Sequence, residues 1–227
     1  IVLTNMQFNK PSNVIFMDFE TTGLKLESLK VIEVAFKTLY KHDMGYTSLI
    51  NPHMRVSASI VDLTHIDNTM LRQEGKDELD VVINIMNYIS DIENSVGEGE
   101  LIYFVAHNGQ QFDFPIFKNL LNSNGFSIAS NWKFIDTLII SRKLRETPKN
   151  SMGFLCGYFK ITNEAEHRAM GDVDALSIIY LRLSNLVCNK VQYNTSNKRK
   201  DTDTTEYINR TIKNHDFPQV LMKYLYL

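Results

Sequence analysis

Three apolar runs at the start of the chain predict three β-strands. They are VIFMDFE (14–20), KVIEVAFKTLY (30–40) and MGYTSLI (44–50). The runs are rich in β-branched and aromatic residues, and short polar turns separate them. Because neighbouring strands joined by short turns pair antiparallel, the three strands are predicted to form a meander.

Strands and helices alternate in the next part of the chain. Residues 78–94 carry apolar side chains at helical spacing, which predicts an amphipathic helix with an apolar face of Leu79, Val82, Ile83, Met86, Ile89 and Ile92. Strands are predicted at 101–106 and 132–136, and helices from near Asp113, at 137–145, at 151–159 and at 172–187. This order predicts an α/β fold, with a central mixed sheet of five strands flanked by helices.

The chain changes character after Val187. Residues 188–210 are polar and mixed in charge, which predicts a linker or surface loop. The apolar residues of DFPQVLMKYLYL (216–227) predict a short helix that packs back on the same domain. We therefore predict one domain over residues 1–188, followed by a segment, 189–227, that is part linker and part C-terminal helix.

Composition narrows the class of protein. The chain has 227 residues, 44% of them hydrophobic, and a net charge of -2, which excludes a general attraction to nucleic acid. No apolar stretch approaches a membrane span, and no signal peptide is recognisable at the N-terminus. The two cysteines lack metal-ligand spacing and are expected to be reduced thiols. We expect an intracellular protein of the nucleus or cytoplasm, not a secreted one, with no membrane partner.

Two acids stand where the first strand ends. Residues two apart on a strand project from the same face, so Asp18 and Glu20 are predicted to lie side by side. Such a pair either raises its own pKa or recruits a cation, and hard oxygen ligands suit Mg²⁺ or Mn²⁺. The alternative is that both acids are solvated and cap nearby turn amides.

Two further segments carry candidate chemistry. In FVAHNGQQFDFPIF (104–117), Asn108 and Asp113 follow a buried strand, although Asp113 is also a good helix N-cap. In EHRAMGDVDAL (166–176), His167 precedes Asp172 by five positions at the start of an apolar helix. Taken alone, His167 fits a surface histidine and Asp172 another cap.

The order and spacing of these motifs resemble the DEDDh group of DnaQ-like 3′→5′ exonucleases. The resemblance rests on Asp-x-Glu on a first strand, Asn-x-x-x-x-Asp opening a middle helix, and His-x-x-x-x-Asp before a late helix. It extends from about Val14 to Leu186 and includes IEVAF (32–36), THI (64–66) and DTL (136–138). Within the group, VAHNGQQFDFP and HRAMGDVDAL look closest to the three-prime repair, or TREX-like, branch.

The resemblance implies an RNase H-like fold and a site with two Mg²⁺ or Mn²⁺ ions. Asp18, Glu20 and Asp172 match the direct metal ligands of the family, and Asp113 matches an acid that supports a metal mainly through water. His167 matches the general base that takes a proton from the attacking water, a task suited to the side chain that titrates near neutral pH.

The resemblance also implies residues that hold the substrate. The backbone around Phe19, together with Thr21, would bind the terminal sugar hydroxyl, and Leu24 and Ile66 would flank the last base. For the last two residues, plain core packing is the alternative. Substrate binding is also predicted for Asn108 and Phe112, where Phe112 either stacks on a base or seals its helix. Arg168 either contacts a phosphate or is a solvated surface arginine.

The function predicted from the sequence is a metal-dependent 3′→5′ exonuclease that releases nucleoside 5′-monophosphates from single-stranded or frayed DNA. One alternative keeps the chemistry and trims RNA 3′ ends, and a less favoured one is an inactive binding module. The expected partner is a DNA 3′ end, with RNA as the alternative substrate. Whether the protein forms a homodimer or works as a polymerase proofreading partner is left open.

Overall fold

The computed structural model describes residues 12–40, 42–163, 165–197 and 217–226. Its centre is a sheet of β1 (Val14–Thr21), β2 (Val31–Thr38), β3 (Tyr46–Leu49), β4 (Ile102–Ala106) and β5 (Trp132–Asp136), in the order β3-β2-β1-β4-β5. The first three strands pair antiparallel, and β4 and β5 are parallel to β1. The predicted meander and the mixed five-stranded sheet are confirmed.

Helices connect and cover the strands. The bounds are α1 (Ala58–Thr64), α2 (Asn68–Gln73), α3 (Glu78–Val96), α4 (Asp113–Ser123), α5 (Thr137–Leu144), α6 (Met152–Phe159), α7 (Ala169–Asn197) and α8 (Phe217–Tyr226). The periodicity of the sequence predicted α3 to α7 but not the short helices α1 and α2. Among the helices described, none is long and apolar enough to cross a membrane.

The alternation of side chains along each strand gives the sheet two apolar faces. Phe16 and Val105 belong to a core that contains residues of α5, α6, α7 and α8, whereas Met17 and Phe104 belong to a core that contains residues of α3 and α4. Burial of both faces explains why the central strands are nearly continuous in apolar residues. It also means that a polar side chain at the end of β1 faces either α7 or α4.

The apolar face of α3 differs from the prediction. Its buried residues are Val81, Val82, Ile85, Ile89 and Ile92, whereas Leu79 and Ile83 are 45% and 41% exposed. Both sets fit a period of 3.6 residues, and they differ by about a quarter turn of the helix. Contact with the sheet therefore selected between two faces that the sequence made nearly equivalent.

The predicted boundary at residue 188 falls inside a helix, because α7 continues to Asn197. Cys188, the last residue of the predicted domain, is a buried residue of α7, so the predicted linker begins inside a packed helix. At the C-terminus, Phe217, Val220 and Leu221 of α8 are buried in the same core. Residues 198–216, which include most of the predicted linker, lie outside the described residues.

Candidate active site

The end of β1 places two carboxylates on one face of the sheet. Asp18 and Glu20 are both half-buried, while Phe19 between them is 3% exposed and packs on the opposite face against Phe36 and Phe117. Glu20 lies opposite Glu33 in the register of β1 with β2, and a β-bulge follows at Thr21. The two-residue spacing therefore acts as the sequence predicts, with both acids on the α7 side.

Asp113 is brought to the same strand end by α4. It is the first residue of the helix and is 3% exposed, and Phe112 occupies the N-cap position, so Asp113 is not the cap. Burial raises the pKa of Asp113 to about 7, and the repulsion of Asp136 adds to this shift. Backbone hydrogen bonds from Asp113 itself and from Phe19 oppose the rise. The bond from Phe19 links α4 directly to β1.

Asp136 fixes the loop that leads to Asp113, a role that sequence reasoning missed. Its Oδ1 accepts hydrogen bonds from the backbone N–H of Asn108 at 3.0 Å and of Leu138 at 2.9 Å, and its Oδ2 accepts one from Gln110 at 3.0 Å. The side chain is 2% exposed, so the three bonds compensate for its desolvation. The motif DTL was noted in the sequence, but only the pairing of β4 with β5 shows what Asp136 contacts.

The start of α7 supplies the remaining candidate residues. Asp172, in the first turn and 4% exposed, accepts hydrogen bonds from Asn163 Nδ2 at 2.7 Å and from the backbone N–H of His167 at 3.1 Å. His167 is exposed and has a left-handed φ of 63°. Gly171 lies in the same helical turn, where a Cβ would stand 2.4 Å from the carbonyl oxygen of Ala165. Gly171 is therefore required for close packing of α7 against the loop that precedes it.

These segments meet in one cluster. One possible ligand atom each from Glu20, His167 and Asp172 lies within 4.8 Å of the others. The pKa of Asp18 is raised well above its ordinary value by burial and then by Asp113 and Asp172.

The cluster brings several carboxylates close together where they are partly shielded from solvent. Burial, followed by the repulsion of Asp172 and Glu33, raises the pKa of Glu20 to about 8. Burial also raises the pKa of Asp172, although the hydrogen bond from Asn163 and the charge of His167 oppose the shift. The fold holds these acids together despite their mutual repulsion. Because carboxylate oxygens are hard ligands, the cluster is suited to divalent cations such as Mg²⁺ or Mn²⁺.

The residues predicted to contact the substrate differ in their exposure to solvent. Leu24 is 84% exposed, as a residue that contacts a base would be, but Ile66 is fully buried with Ile32, Leu49 and other apolar residues. The prediction that Ile66 flanks a base is therefore wrong for this conformation, because its side chain has no exposed surface. Thr21 is 6% exposed and donates its hydroxyl to the carbonyl of Gly23 at 2.7 Å.

The loop before α4 holds two further candidates. Asn108 has an exposed side chain and a left-handed φ of 64°. Phe112 is half-buried and packs against the core on the α4 face, so part of its ring seals the helix. Substrate binding by these two residues, and by the backbone around Phe19, stays a prediction.

Arg168 has a partner that the sequence did not reveal. Its Nη2 donates to Glu33 Oε1 at 2.7 Å and its Nε donates to Oε2 at 3.1 Å. It is therefore neither a phosphate ligand in this conformation nor a free surface arginine. Glu33 is only 3% exposed and lies within the IEVAF segment, where an acid inside an apolar strand was the available signal.

A family model described as Exonuclease, of the RNase T type, matches residues 15–180. The matched range includes the four acids and His167 described above. The chain belongs to this exonuclease family. The predicted membership of the DnaQ-like DEDDh group is thereby confirmed, and the family assigns the chain to the nucleases, a class of hydrolases. The TREX-like branch stays a prediction.

Named relatives and solved structures agree with the family. Exonuclease DPD1 of Arabidopsis thaliana, chloroplastic/mitochondrial, is 29% identical over 184 residues, which cover 78% of this exonuclease chain and 57% of the relative. The PolC-type DNA polymerase III of Staphylococcus epidermidis is also 29% identical, over 177 residues that make up 77% of this chain and 11% of the polymerase. The chain thus spans little more than half of the first relative and a small part of the second.

Among solved structures, E. coli exonuclease I in complex with a dT13 oligonucleotide has a TM-score of 0.66 at 16% identity, covering 79% of this chain and 42% of that one. An exonuclease I from Methylocaldum szegediense has a TM-score of 0.60 at 18% identity, covering 76% and 40%. At such identities the likeness shows a common fold, and it confirms the predicted RNase H-like exonuclease architecture.

Proposed function

We propose that this chain is a divalent-metal-dependent 3′→5′ exonuclease that hydrolyses the terminal phosphodiester bond of DNA and releases nucleoside 5′-monophosphates. The observation that carries the proposal is the meeting of Glu20, His167 and Asp172 within 4.8 Å. Asp18 and Asp113 add charge to the same cluster: after burial, the repulsion of Asp113 contributes to the raised pKa of Asp18 and to that of Glu20. A binding module without activity would have no physical reason to keep so many acids in a partly desolvated cluster.

Asp18, Glu20 and Asp172 are the residues that we propose to hold two Mg²⁺ or Mn²⁺ ions directly, with Asp113 supporting them. Their carboxylates are hard oxygen ligands, and burial together with the repulsion of neighbouring acids raises their pKa values, a cost that a bound divalent cation would offset. When bound, such a pair of ions supplies Lewis-acid charge that stabilises both the attacking and the leaving oxygen of an in-line displacement.

His167 is proposed as the general base. It is exposed, so it can reach a water at the edge of the cluster, and one of its ring nitrogens lies close to the carboxylates of Glu20 and Asp172. The ring takes the proton of the attacking water as the water oxygen bonds to phosphorus and the bond to the 3′ oxygen breaks. The hydrogen bond from the backbone N–H of His167 to Asp172 holds the base at a set distance from the acids.

Single-stranded or frayed DNA is the proposed substrate. E. coli exonuclease I, which shares the fold, is described in complexes with dT13 and dA16 oligonucleotides, and this supports a groove for single strands in the present chain. The exposed side chain of Leu24, three residues after the β1 strand, offers an apolar contact for the terminal base. A preference for DNA over RNA is part of the proposal, and it follows the proposed likeness to the TREX-like branch.

A labelled-oligonucleotide assay tests the proposal. With a 5′ label on DNA or RNA of the same sequence, digestion from the 3′ end gives a ladder of shortening products, whereas digestion from the 5′ end releases the label at once. We expect a ladder with Mg²⁺ and none with EDTA, and faster loss of DNA than of RNA. A chelator that left the rate unchanged would refute the metal assignment, and faster loss of RNA would favour the RNA-trimming alternative.

Asp172→Asn and Asp174→Asn form a matched pair for this assay. Both acids lie on α7, but Asp172 is in the cluster whereas the side chain of Asp174 is 54% exposed and pairs with Lys37. Loss of activity in Asp172→Asn only would assign the chemistry to the cluster. Equal activity of both variants would refute the proposed site.

A further inference from the structure

Glu33 makes a buried contact with the start of α7. Glu33 lies on β2, opposite Glu20 in the strand register, and its side chain is almost completely buried. Besides the two-atom contact with Arg168, its Oε2 accepts the backbone N–H of Ala169 at 2.9 Å. The buried Glu33 carboxylate thus accepts hydrogen bonds both from the guanidinium of Arg168 and from the first backbone amide of α7. We refer to Glu33, Arg168 and the Ala169 amide as the Glu33 clamp.

The Glu33 clamp grips the backbone between the two functional residues of α7. Ala169 is the first residue of the helix, and Arg168 follows His167 directly. The backbone N–H of Asp172 donates to the carbonyl of Arg168 at 3.0 Å, so Asp172 is one helical hydrogen bond away from the clamp. Movement of residues 168 and 169 away from β2 would therefore displace both His167 and Asp172 from Glu20.

The hydrogen bonds of the clamp hold the start of α7 to β2 at a fixed distance and orientation. A guanidinium binds a carboxylate through two parallel bonds, which fixes orientation as well as distance. Breaking a buried pair leaves one charge desolvated, so the clamp resists partial opening. The same Glu33 carboxylate also accepts a hydrogen bond from the Ala169 amide, which is at the start of the helix and has no acceptor within it.

We propose that Glu33 is a positioning residue for phosphodiester hydrolysis, acting through Arg168 and the Ala169 amide to set His167 and Asp172 against the carboxylates of β1. This inference rests on the proposed function. It separates from that function experimentally, because the side-chain hydrogen bonds of the clamp join Glu33 to Arg168 and to the Ala169 amide and not to the carboxylates that are proposed to hold metal, and because the looseness of the helix start can be measured without metal.

The chain offers a matched control for the clamp. Lys37, also on β2, pairs with Asp174, also on α7, at 2.7 Å. The Lys37 pair joins the same two elements as the clamp, but its side chains are 28% and 54% exposed and lie beyond the turn that carries Asp172. Ion pairs with such exposure contribute little to stability. Lys37→Gln thus removes a β2–α7 ion pair without loosening the start of the helix.

Three variants test the proposal: Glu33→Gln, Arg168→Lys and Lys37→Gln. Glutamine keeps one acceptor oxygen but replaces the other with an NH₂ donor and carries no charge, so the two-bond, charge-assisted contact with Arg168 is lost. Lysine keeps the positive charge but cannot make the two parallel hydrogen bonds of the guanidinium.

Because a misplacement of about 1 Å can cost ~10²-fold in rate, we expect kcat to fall about 10- to 100-fold in Glu33→Gln, less in Arg168→Lys, and under about twofold in Lys37→Gln. KM should stay within about threefold in each variant, since the proposed substrate contacts at Leu24, Asn108 and Phe112 lie outside the clamp.

Hydrogen exchange in the metal-free protein gives a readout that does not depend on activity. Deuterium uptake of the peptide spanning 165–173 should increase in Glu33→Gln and stay unchanged in Lys37→Gln, with α3 as the internal reference. Unchanged exchange, or an unchanged kcat in folded Glu33→Gln, would overturn the proposal. If Glu33→Gln does not fold, Arg168→Lys decides by the same two measurements. An inactive wild-type chain would instead refute the proposed function, and the clamp's catalytic role with it.

Discussion

Replacing Glu20 by glutamine is expected to stabilise the metal-free protein near pH 8 while removing its activity. Burial and the neighbouring acids raise the pKa of Glu20 from 4.5 to about 8. An acid with a raised folded-state pKa binds its proton more tightly in the folded protein, so folding loses free energy as the pH rises from 4.5 towards 8. Well below pH 4.5 the carboxyl is protonated in both states, and this cost disappears.

The size of the effect follows from the shift. One pKa unit corresponds to about 1.4 kcal/mol, so a rise from 4.5 to about 8 sets an upper bound of about 5 kcal/mol. Glu20 is only half-buried, and solvent screens part of the repulsion. We therefore expect Glu20→Gln to raise the free energy of unfolding by about 2–3 kcal/mol near pH 8, and by roughly 1 kcal/mol or less near pH 5.

Urea unfolding in EDTA, followed by tryptophan fluorescence, measures this difference. The chain has one tryptophan, Trp132, which is 5% exposed in the folded protein and becomes solvated on unfolding. Glu27→Gln is the control, because Glu27 is an exposed acid just after β1 and its replacement should change stability by less than about 0.5 kcal/mol. Equal stability of Glu20→Gln and wild type near pH 8 would refute the reasoning. So would a difference that does not shrink towards pH 5.

Mg²⁺ provides the complementary test. A ligand that binds only the native state at one hundred times its Kd stabilises it by about 2.7 kcal/mol. The wild-type protein should therefore gain stability with Mg²⁺ near pH 8, and Glu20→Gln should gain less. No stabilisation of the wild type by Mg²⁺ or Mn²⁺ would contradict the proposed metal site.

The remaining predictions concern the base, the substrate contacts and the C-terminus. His167→Ala should lower turnover by roughly 10²–10⁴ while Mn²⁺ affinity, measured by calorimetry, stays within about threefold; a parallel loss of affinity would make His167 a ligand instead. Leu24→Ala should slow cleavage of a blunt duplex more than of a single strand in initial-rate assays, because an apolar contact offsets part of the few kcal/mol needed to unstack the end. Ile66→Ala should instead lower the free energy of unfolding by about 2–5 kcal/mol in urea titrations and affect both substrates equally. Truncation after Val187 should give an aggregated protein in light scattering, because it removes the end of α7 and the buried residues of α8; a soluble, active truncated chain would contradict this.

Much of the site could be predicted because the relevant geometry is local. The two-residue spacing of Asp18 and Glu20 defines a shared face on any strand, whatever the rest of the chain does. His167 and Asp172 are only five residues apart, so they are close along the chain, but His167 precedes α7 and its placement depends on the loop before the helix. The same reasoning could not decide whether Asp113 was a cap, since that depends on where the first helical turn begins.

The features that the sequence did not reveal depend on contacts between distant segments. Ile66 is apolar and adjacent to a motif, and only the cluster with Ile32 and Leu49 shows that it belongs to the core. The predicted end of α7 was wrong because polarity along residues 189–197 was taken as a loop signal. Polarity does not end a helix, since polar side chains on a helix can face solvent, and α7 therefore continues beyond its buried residues.

The sequence by itself determined the strand pattern and the mixed sheet, because these follow from side-chain periodicity, and it pointed to the acids and the histidine through the resemblance of their ordered motifs to an exonuclease family. The tertiary structure decided which of those side chains meet, and how tightly they are held. Glu33 and Arg168 are 135 residues apart, and only the register of β2 against β1 and the packing of α7 bring them together. Burial of Asp113 and Asp172 and the resulting shifts in pKa also belong to the folded state, because desolvation and repulsion arise only when distant elements close around the same charges.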